Sequence, residues 1–327
     1  MTTYTQQPGT HIPVRAADPA NPVVGEVWYN STTNKLKGVI NIATATWATG
    51  GDMNTGRRQV AGFGESVSTA VVACGQNPPA LNLTEEYSGT AWSAVTANPE
   101  TRIKPFGFGI NSAGLVGGGE SGPSSGTNSG EYDGTSWTAS ATIPLTMYDS
   151  TGVGTTAAGV VVHGPQSPTT ATLLYASPGT WTTGTSSPAL IGSASAGGTT
   201  AAAVFTAMVP GDVTTSYEYA SGTWTAGGVL NQARNRAASG AQSPVSQTLV
   251  FGGNTAPAAV FASTELYNGT AWSTQANMNT ARRGLGGAGS TSTSALAFGG
   301  FINPGSHSVA STEEFAGGAT TKIFSIS

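Results

Sequence analysis

Charge is what this sequence has least of. Only 9% of its 327 residues are Asp, Glu, Lys or Arg, against about 25% in an average soluble domain. The 12 Lys and Arg form no basic stripe and the net charge is −4, which argues against a nucleic-acid partner. Disorder is excluded by the companion observation: seven Trp, nine Tyr and ten Phe are far too many aromatics for an unfolded chain. The single cysteine, Cys74, excludes an internal disulfide and a cysteine-based metal cluster. Its setting, TAVVACGQ, reads as buried core. The three histidines, His11, His163 and His307, are scattered, so neither a zinc nor a copper site is expected. No cofactor is expected either. The longest apolar stretch, near 201–209, is broken by Thr206 and is too short to cross a bilayer. The opening MTTYTQQPGTHIPV has no basic n-region and no apolar h-region, so no signal peptide is expected.

Glycine is plentiful, at 46 residues, and tryptophan is periodic. Trp47, Trp92, Trp137, Trp181, Trp224 and Trp272 follow one another at intervals of 45, 45, 44, 43 and 48 residues; Trp28 alone is outside the series. A fixed period of this size marks a repeat architecture. Other positions keep the same register. Ten residues after Trp stand Arg57, Arg102, Arg234 and Arg282, with Met147 and Ile191 in the remaining two repeats. Fifteen after stand Gly62, Gly107, Gly152 and Gly287; seventeen after, Gly64, Gly109, Gly154, Gly198 and Gly289. Short apolar runs then end in glycine, as in GLVGGG, TLVFGG and ALAFGG. The glycine pairs are read as close approaches of backbone in preference to simple strand ends. Five residues before Trp come Tyr87, Tyr132, Tyr219 and Tyr267.

Each repeat resolves into four short strands: one after the Arg, one running into Gly-Gly, one ending in Tyr, and one beginning at Trp. The Asn268-Gly269 and Asp133-Gly134 steps suit a two-residue hairpin with both residues at positive φ. Four-stranded units of this length are blades of a β-propeller. The fold expected is therefore all-β, a six-bladed β-propeller with Trp and Tyr wedged between neighbouring blades. Its strands are out of step with the chain ends. The first Trp strand, around 43–47, precedes any complete blade, and the last unit ends at a third strand, around 312–315. Pairing those two closes the ring and removes free edges. The expected division is 1–41, a Pro-rich polar arm followed by the hairpin GEVWYNSTTNKLKGVI, and 42–327, the propeller; the first part reads equally as a cap packed on the propeller or as an anchor onto another protein.

The Gly-Gly, Tyr, Trp and Met/Arg order resembles the kelch repeat over about 42–315, most clearly in the stretch from Tyr267 to Gly300. The fourth unit departs from it, lacking both the Arg and the Gly-Gly. The hairpin GEVWYNSTTNKLKG is similar to short attachment hairpins of tailed-bacteriophage fibre and virion proteins, and the YNGTAW and MNTAR wording is similar to repeats in structural proteins of marine phages. That resemblance implies a non-enzymatic virion component of a tail, fibre or capsid decoration, made in the host cytoplasm. Its arm, with Trp28 and Tyr29 as attachment candidates, would contact other virion proteins. It also implies contact with a host-surface glycan or protein, no membrane insertion, and room for a homo-oligomer. The alternative is a bacterial carbohydrate-binding, lectin-like propeller.

A search for catalytic chemistry returns little. A copper radical oxidase, which also uses kelch-type blades, needs histidine ligands and a cysteine beside a tyrosine, and Cys74 has no such partner. Asp133–Trp137, DGTSW, superficially resembles a sialidase Asp-box but is one residue short, and turn chemistry explains it. The four register arginines admit two readings: an anion-binding ring, or interblade ion pairs with glutamates of the third strands (Glu85, Glu86, Glu131, Glu218, Glu265, Glu313 and Glu314). The second is preferred. Gly-rich runs such as GVGTT lack the Lys-Ser/Thr of a phosphate loop. The variable loops at 120–129, 254–261 and 301–308 are candidates for recognition.

Overall fold

The structure, a computed structural model, describes residues 12–19, 26–120, 126–162, 170–188, 191–199, 202–207, 214–240, 244–255, 259–302 and 307–326. It divides into two compact units, Thr46–Ala316 and a smaller one made of Met1–Ala45 with Gly317–Ser327. The expected division left everything after 41 in the ring. The C-terminal segment instead groups with the N-terminal one.

Within Thr46–Ala316 the repeats form six antiparallel blades, numbered here I to VI. Blade I runs Ala61–Gly64, Ala70–Ala73, Thr84–Tyr87 and Trp92–Val95 from the axis outward. Blade II runs Phe106–Ile110, Ala113–Gly117, Ser129–Tyr132 and Trp137–Ala139. Blade III runs Thr151–Thr155, Ala158–Val162, Thr172–Ala176 and Thr180–Thr183. Blade IV, despite its divergent wording, keeps all four strands: Ile191–Thr199, Ala202–Ala207, Ser216–Ala220 and Thr223–Ala226. Blade V runs Ala238–Ser239, Thr248–Phe251, Thr264–Tyr267 and Trp272–Gln275. In blade VI the inner strands Gly286–Thr291 and Ser294–Phe298 are followed by the C-terminal strand Thr312–Ile326, and the outer place is taken by the N-terminal strand Lys35–Thr49. The innermost strands lie side by side in the order I to VI, and VI returns to I. The ring is thus closed by strands from both parts of the chain.

Second strands are buried on both faces, as in Ala70–Ala73 and Thr248–Phe251, so they read as unbroken apolar runs. Outer strands alternate only weakly and face water. Inner strands use glycine because neighbouring blades converge at the axis. A Cβ at Gly287 would lie 2.3 Å from the Ser239 carbonyl, and one at Gly107 would lie 2.8 Å from the Ala61 Cβ. Neither leaves room for a side chain. The Gly-Gly pairs combine both sequence readings. Gly252 and Gly253 follow the second strand at φ +69° and +93°, and a Cβ on Gly252 would meet the Arg282 carbonyl of the next blade at 2.7 Å. In blade I the first place of the pair is held by Cys74 at φ +60°, fully buried. Burial pushes its thiol up to about 12, so it stays a protonated core group.

The hairpins before Trp differ from the expectation in two of the blades that prompted it. Tyr132 pairs with Trp137 and Tyr267 with Trp272 across four-residue loops. In these only the glycine, Gly134 or Gly269, has positive φ. Asp133 and Asn268 act through their side chains: Asp133 Oδ1 accepts the amides of Thr135 and Ser136 at 2.8 and 2.7 Å, and Asn268 Oδ1 those of Thr270 and Ala271. This is an Asx turn, which is why DGTSW needs no sialidase explanation. The two-residue turn with both residues at positive φ occurs in blade IV instead, at Ser221-Gly222.

The smaller unit is built on a hairpin. Val27–Asn30 pairs antiparallel with residues 35–38, and Val14–Arg15 adds a parallel strand on its other side. Asn30 Oδ1 accepts the amides of Thr32 and Thr33 in the turn.

Closure through the N-terminal strand is testable. Trp47 lies in this strand, 7% exposed, with its ring 5.1 Å from Phe251 and 5.2 Å from Phe315. A chain that begins at Gly50 loses that wedge, worth about 3–5 kcal/mol, and opens blade VI. Its melting temperature is expected to fall by about 10 °C or more; an unchanged thermal melt would show that the strand does not close the ring.

Candidate functional site at the axis of the ring

The repeated polar residues have to be accounted for first, because a site consists of what architecture leaves over. Each third strand carries a four-residue word, and each place in it has its own partner. In blades I, V and VI the word is TEEY, TELY and TEEF.

The first place is a hydroxyl that serves the next blade's tryptophan. Trp92 Nε1 donates to Thr312 Oγ1 at 2.8 Å, Trp47 to Thr264 Oγ1 at 3.1 Å, Trp272 to Ser216 Oγ and Trp137 to Thr84 Oγ1, both at 3.2 Å. Trp181 and Trp224 reach the carbonyls of Ala141 and Thr185 on the blade before them. All six repeat tryptophans therefore wedge between blades with the indole N–H satisfied, as a packed indole requires.

The second place, where it is glutamate, holds the register arginine. Arg57 Nη2 pairs with Glu85 at 2.5 Å, Arg234 with Glu265 at 2.7 Å and Arg282 with Glu313 at 2.9 Å, with every partner at most 3% exposed. These pairs lie inside one blade. The interblade pairing expected from sequence is corrected: each Arg joins the glutamate that follows it, because the segment carrying it folds back across the end of its own blade. The same guanidiniums donate to the glycine-pair carbonyls Gly252 and Gly299 and, for Arg57, to Leu83. Burial lowers the pKa of these three guanidiniums and the partner glutamate opposes that shift. The second carboxylate oxygen accepts the amide of Asn54, Asn231 or Asn279. Sequence reasoning missed these asparagines, although they share one register seven residues after Trp. The other three repeats have Pro99, Pro144 and Pro188 there. In blade II the second place is Gly130, and Arg102 turns to Glu100 at 3.0 Å. In blade III both charges are gone: Met147 stands for Arg and Leu173 for Glu, both fully buried in one cluster.

The third place is interblade. Tyr87 donates to Glu314 at 2.6 Å, Tyr132 to Glu86 at 2.9 Å, Tyr267 to Glu218 at 2.5 Å, and Tyr175 to Glu131. Burial, then the carboxylate acceptor, pushes Tyr87 and Tyr175 up to about 12, so these phenols stay donors. Blade VI has Phe315 in the tyrosine place, and the position that would face it in blade V is Leu266. The seven glutamates grouped together from sequence thus serve two separate functions.

Beyond these places, one convergence remains. Two residues after the register Arg stand Gln59, Lys104, Asp149, Arg236 and Gly284, all at positive φ between +49° and +59°. Their backbones form a belt around the axis. Gln59 N–H donates to Gly284 O, Lys104 to Gln59 O, Asp149 to Lys104 O, and Gly284 to Arg236 O, at 2.7 to 3.2 Å. The belt is the mouth of an axial cavity of about 120 Å³ whose walls include Gly62, Gly107, Gly152 and Gly287. Glycine is the unstrained residue for such φ, and a side chain there costs on the order of 1 kcal/mol. Four of the five positions carry side chains regardless. Lys104 lies 2.9 Å from Glu120 and 4.0 Å from Asp149, and Arg236 lies 3.7 Å from Asp149. Arg58 and Arg283, one residue after their register arginines, both face the Phe301 ring, at 5.1 and 4.0 Å from its centroid. Sequence reasoning missed this group. Its signal was present: all eight cations between 46 and 316 fall ten, eleven or twelve residues after a repeat tryptophan.

Of the remaining sequence candidates, His307 is exposed, and His11 and His163 lie outside the described residues, as do the middles of the three variable loops. Among the described residues no three His, Cys, Asp or Glu gather as a metal-binding group would. Trp28 is fully buried and donates to Asp18, which also accepts from Asn30 and Lys37. It is therefore a core residue of the hairpin and not a free contact, whereas Tyr29 is half-buried with its hydroxyl on Asn34.

These features define a class: a kelch-type β-propeller of six blades. A solved structure described as that of YjhT is similar to it, with a TM-score of 0.64 and 13% identity over 80% of this chain and 95% of that one. At that identity the likeness establishes fold alone. No protein-family model and no curated protein matches the sequence.

Two outcomes follow. Replacing Arg57 by Met, or Glu85 by Leu, leaves a buried charge unpaired and is expected to cost about 3–5 kcal/mol. The double variant, copying blade III, is expected to recover most of that loss in a double-mutant cycle read by denaturant melts; additive losses would break the argument. In the smaller unit, hydrogen bonds from Lys37, Asn30 and Trp28 lower the pKa of Asp18 to about 2, below the ordinary aspartate value. A depressed folded-state value stabilises above the ordinary pKa and loses that effect as pH falls through the folded one. The Trp28 environment, followed by indole NMR, is expected to hold at pH 5 and to change between pH 4 and 2; a transition centred above pH 5 would contradict the assignment.

Proposed function

We propose that this chain is a non-enzymatic structural component of a tailed-phage particle, in a tail, fibre or capsid decoration. In this reading the propeller is presented to the surroundings and the hairpin unit joins it to other virion proteins. One observation carries the reading. The register arginines and the third-strand glutamates are consumed in holding the blades, and the segment whose wording resembles phage attachment hairpins groups into a compact unit of its own. A rigid ring with these groups committed to geometry suits display better than turnover, which needs acid, base or nucleophile poised against a substrate. The buried Trp28 gives the hairpin a fixed shape through its bond to Asp18. Among the described residues, the strand at Val14–Arg15 and the half-buried Tyr29 are the places this reading gives to a partner.

The test is mass spectrometry of washed, purified particles from the source of the gene. Recovery of the chain in fixed stoichiometry with capsid or tail proteins is the expected outcome. Its absence from such particles, together with saturable glycan capture by the isolated protein, would replace this reading with the lectin-like one.

A further inference from the structure

We propose that Asn268 is a site of spontaneous deamidation in the folded protein: the Gly269 amide nitrogen closes onto the Asn268 side chain, and the turn itself holds the oxyanion that forms. The site lies in blade V and does not depend on the virion reading.

Asn268-Gly269 is the one Asn-Gly step in the sequence, and Asn268 is exposed, so water reaches it. Three features of the turn suit it to the reaction. Glycine follows the asparagine, so no side chain hinders close approach of the nitrogen at 269. Among the described residues the Gly269 N–H donates no hydrogen bond, so its deprotonation breaks no bond of the turn. The third feature is the placement of Asn268 Oδ1, which accepts the amides of Thr270 and Ala271 at 2.9 and 2.8 Å. Two backbone N–H groups aimed at one carbonyl oxygen are the arrangement of an oxyanion hole. They polarise the Cγ–Oδ1 bond and stabilise the charge that gathers on Oδ1 when Cγ is attacked.

The steps balance with water and its hydroxide as the only co-reactants. Hydroxide takes the Gly269 amide proton. The nitrogen lone pair attacks Asn268 Cγ, an N–Cγ bond forms, and the carbonyl π pair moves onto Oδ1. As that carbonyl re-forms, the Cγ–Nδ2 bond breaks and Nδ2 leaves with its electron pair, taking a proton from water to depart as ammonia. Water then opens the succinimide ring, at Cγ to give aspartate or at the main-chain carbonyl carbon to give isoaspartate. Nothing is oxidised or reduced; the sum is asparagine plus water to aspartate plus ammonia.

The fold already shows a place for the product. Blade II carries Asp133-Gly134 in the same loop, and Asp133 Oδ1 accepts the amides of Thr135 and Ser136 at 2.8 and 2.7 Å. Hydrogen bonds from Ser136 and Thr135 hold that carboxyl well below the ordinary aspartate range. An ionised carboxylate is a poor electrophile, so Asp133 resists attack by its own Gly134 nitrogen. Aspartate at 268 meets the same pair of amides, with charge-assisted bonds stronger than those of the neutral amide, and the conversion runs one way. Isoaspartate lengthens the main chain between Tyr267 and Trp272, which pair across this loop. Aspartate is therefore the product that the blade favours.

Peptide mapping by mass spectrometry of the full chain, aged in warm, mildly alkaline buffer, tests this, with the same chain aged in guanidinium as the reference. Conversion at Asn268 is expected to be at least as fast in the folded chain as in guanidinium. Fragmentation that separates the isomers is expected to find aspartate in excess over isoaspartate in the folded sample. Asn268→Ser copies Ser88-Gly89 of blade I, and it is expected to fold and to lose all conversion at this position. Asn268→Asp is expected to melt no lower than the parent. Slower conversion in the folded chain than in guanidinium, or undiminished mass gain in the same peptide of the Asn268→Ser chain, overturns the proposal.

Discussion

An indole driven between two sheets must still find an acceptor for its N–H, and the rest of this molecule is arranged around meeting that need six times. The acceptor is always on the blade before: a Thr or Ser hydroxyl opening the third strand, a loop carbonyl, or both. This makes each joint directional. A directional joint repeated around a ring leaves two indoles over at the start of the chain, Trp47 and Trp92, and two acceptors over at its end, Thr264 and Thr312. Trp92 meets Thr312, and the N-terminal strand brings Trp47 to Thr264. Closure is therefore a consequence of the wedge and not an added device.

The polar residues around each wedge divide by what they orient. Arginine and the second-place glutamate fix the linker onto its own blade; tyrosine and the third-place glutamate fix one blade to the next. Desolvation offsets most of the attraction in a buried ion pair, so such a pair contributes geometry more than stability. The chain itself illustrates the point. Blade III keeps the same fold with Met147 and Leu173 in place of the pair. Blade VI carries Phe315 where four others use a bonded tyrosine, and Leu266 stands where the glutamate would be. In these two cases both members change together; blade IV instead keeps Tyr219, buried, opposite Leu174.

Much of this was legible without coordinates. Six tryptophans at near-constant spacing, the glycine registers and the unmatched end strands led to a closed six-bladed ring, and these features survive because they are local or periodic. The two-residue hairpin at Asn268-Gly269 was misread because Asn and Asp can serve a turn in two ways: by taking positive φ themselves or by lending a side-chain oxygen to the amides ahead. Dipeptide wording does not distinguish them. Trp28 was read as an attachment candidate, and its indole is sealed into the hairpin by Asp18, ten residues earlier in the chain. The axial cations Lys104 and Arg236 were overlooked beside the register arginines; two residues of offset separate a buried structural guanidinium from a cation at the mouth.

The order of residues by itself determined the number of blades, the strand that closes them and the side chains that face the joints, since a period of about 45 residues imposes the same strand environment on equivalent places. Only the tertiary structure decided which glutamate each arginine meets and that Gln59, Lys104, Asp149, Arg236 and Gly284 form one belt. Those groups come from different repeats, tens to hundreds of residues apart in the chain. They become neighbours only when convergence at the axis brings every blade's inner end to the same place.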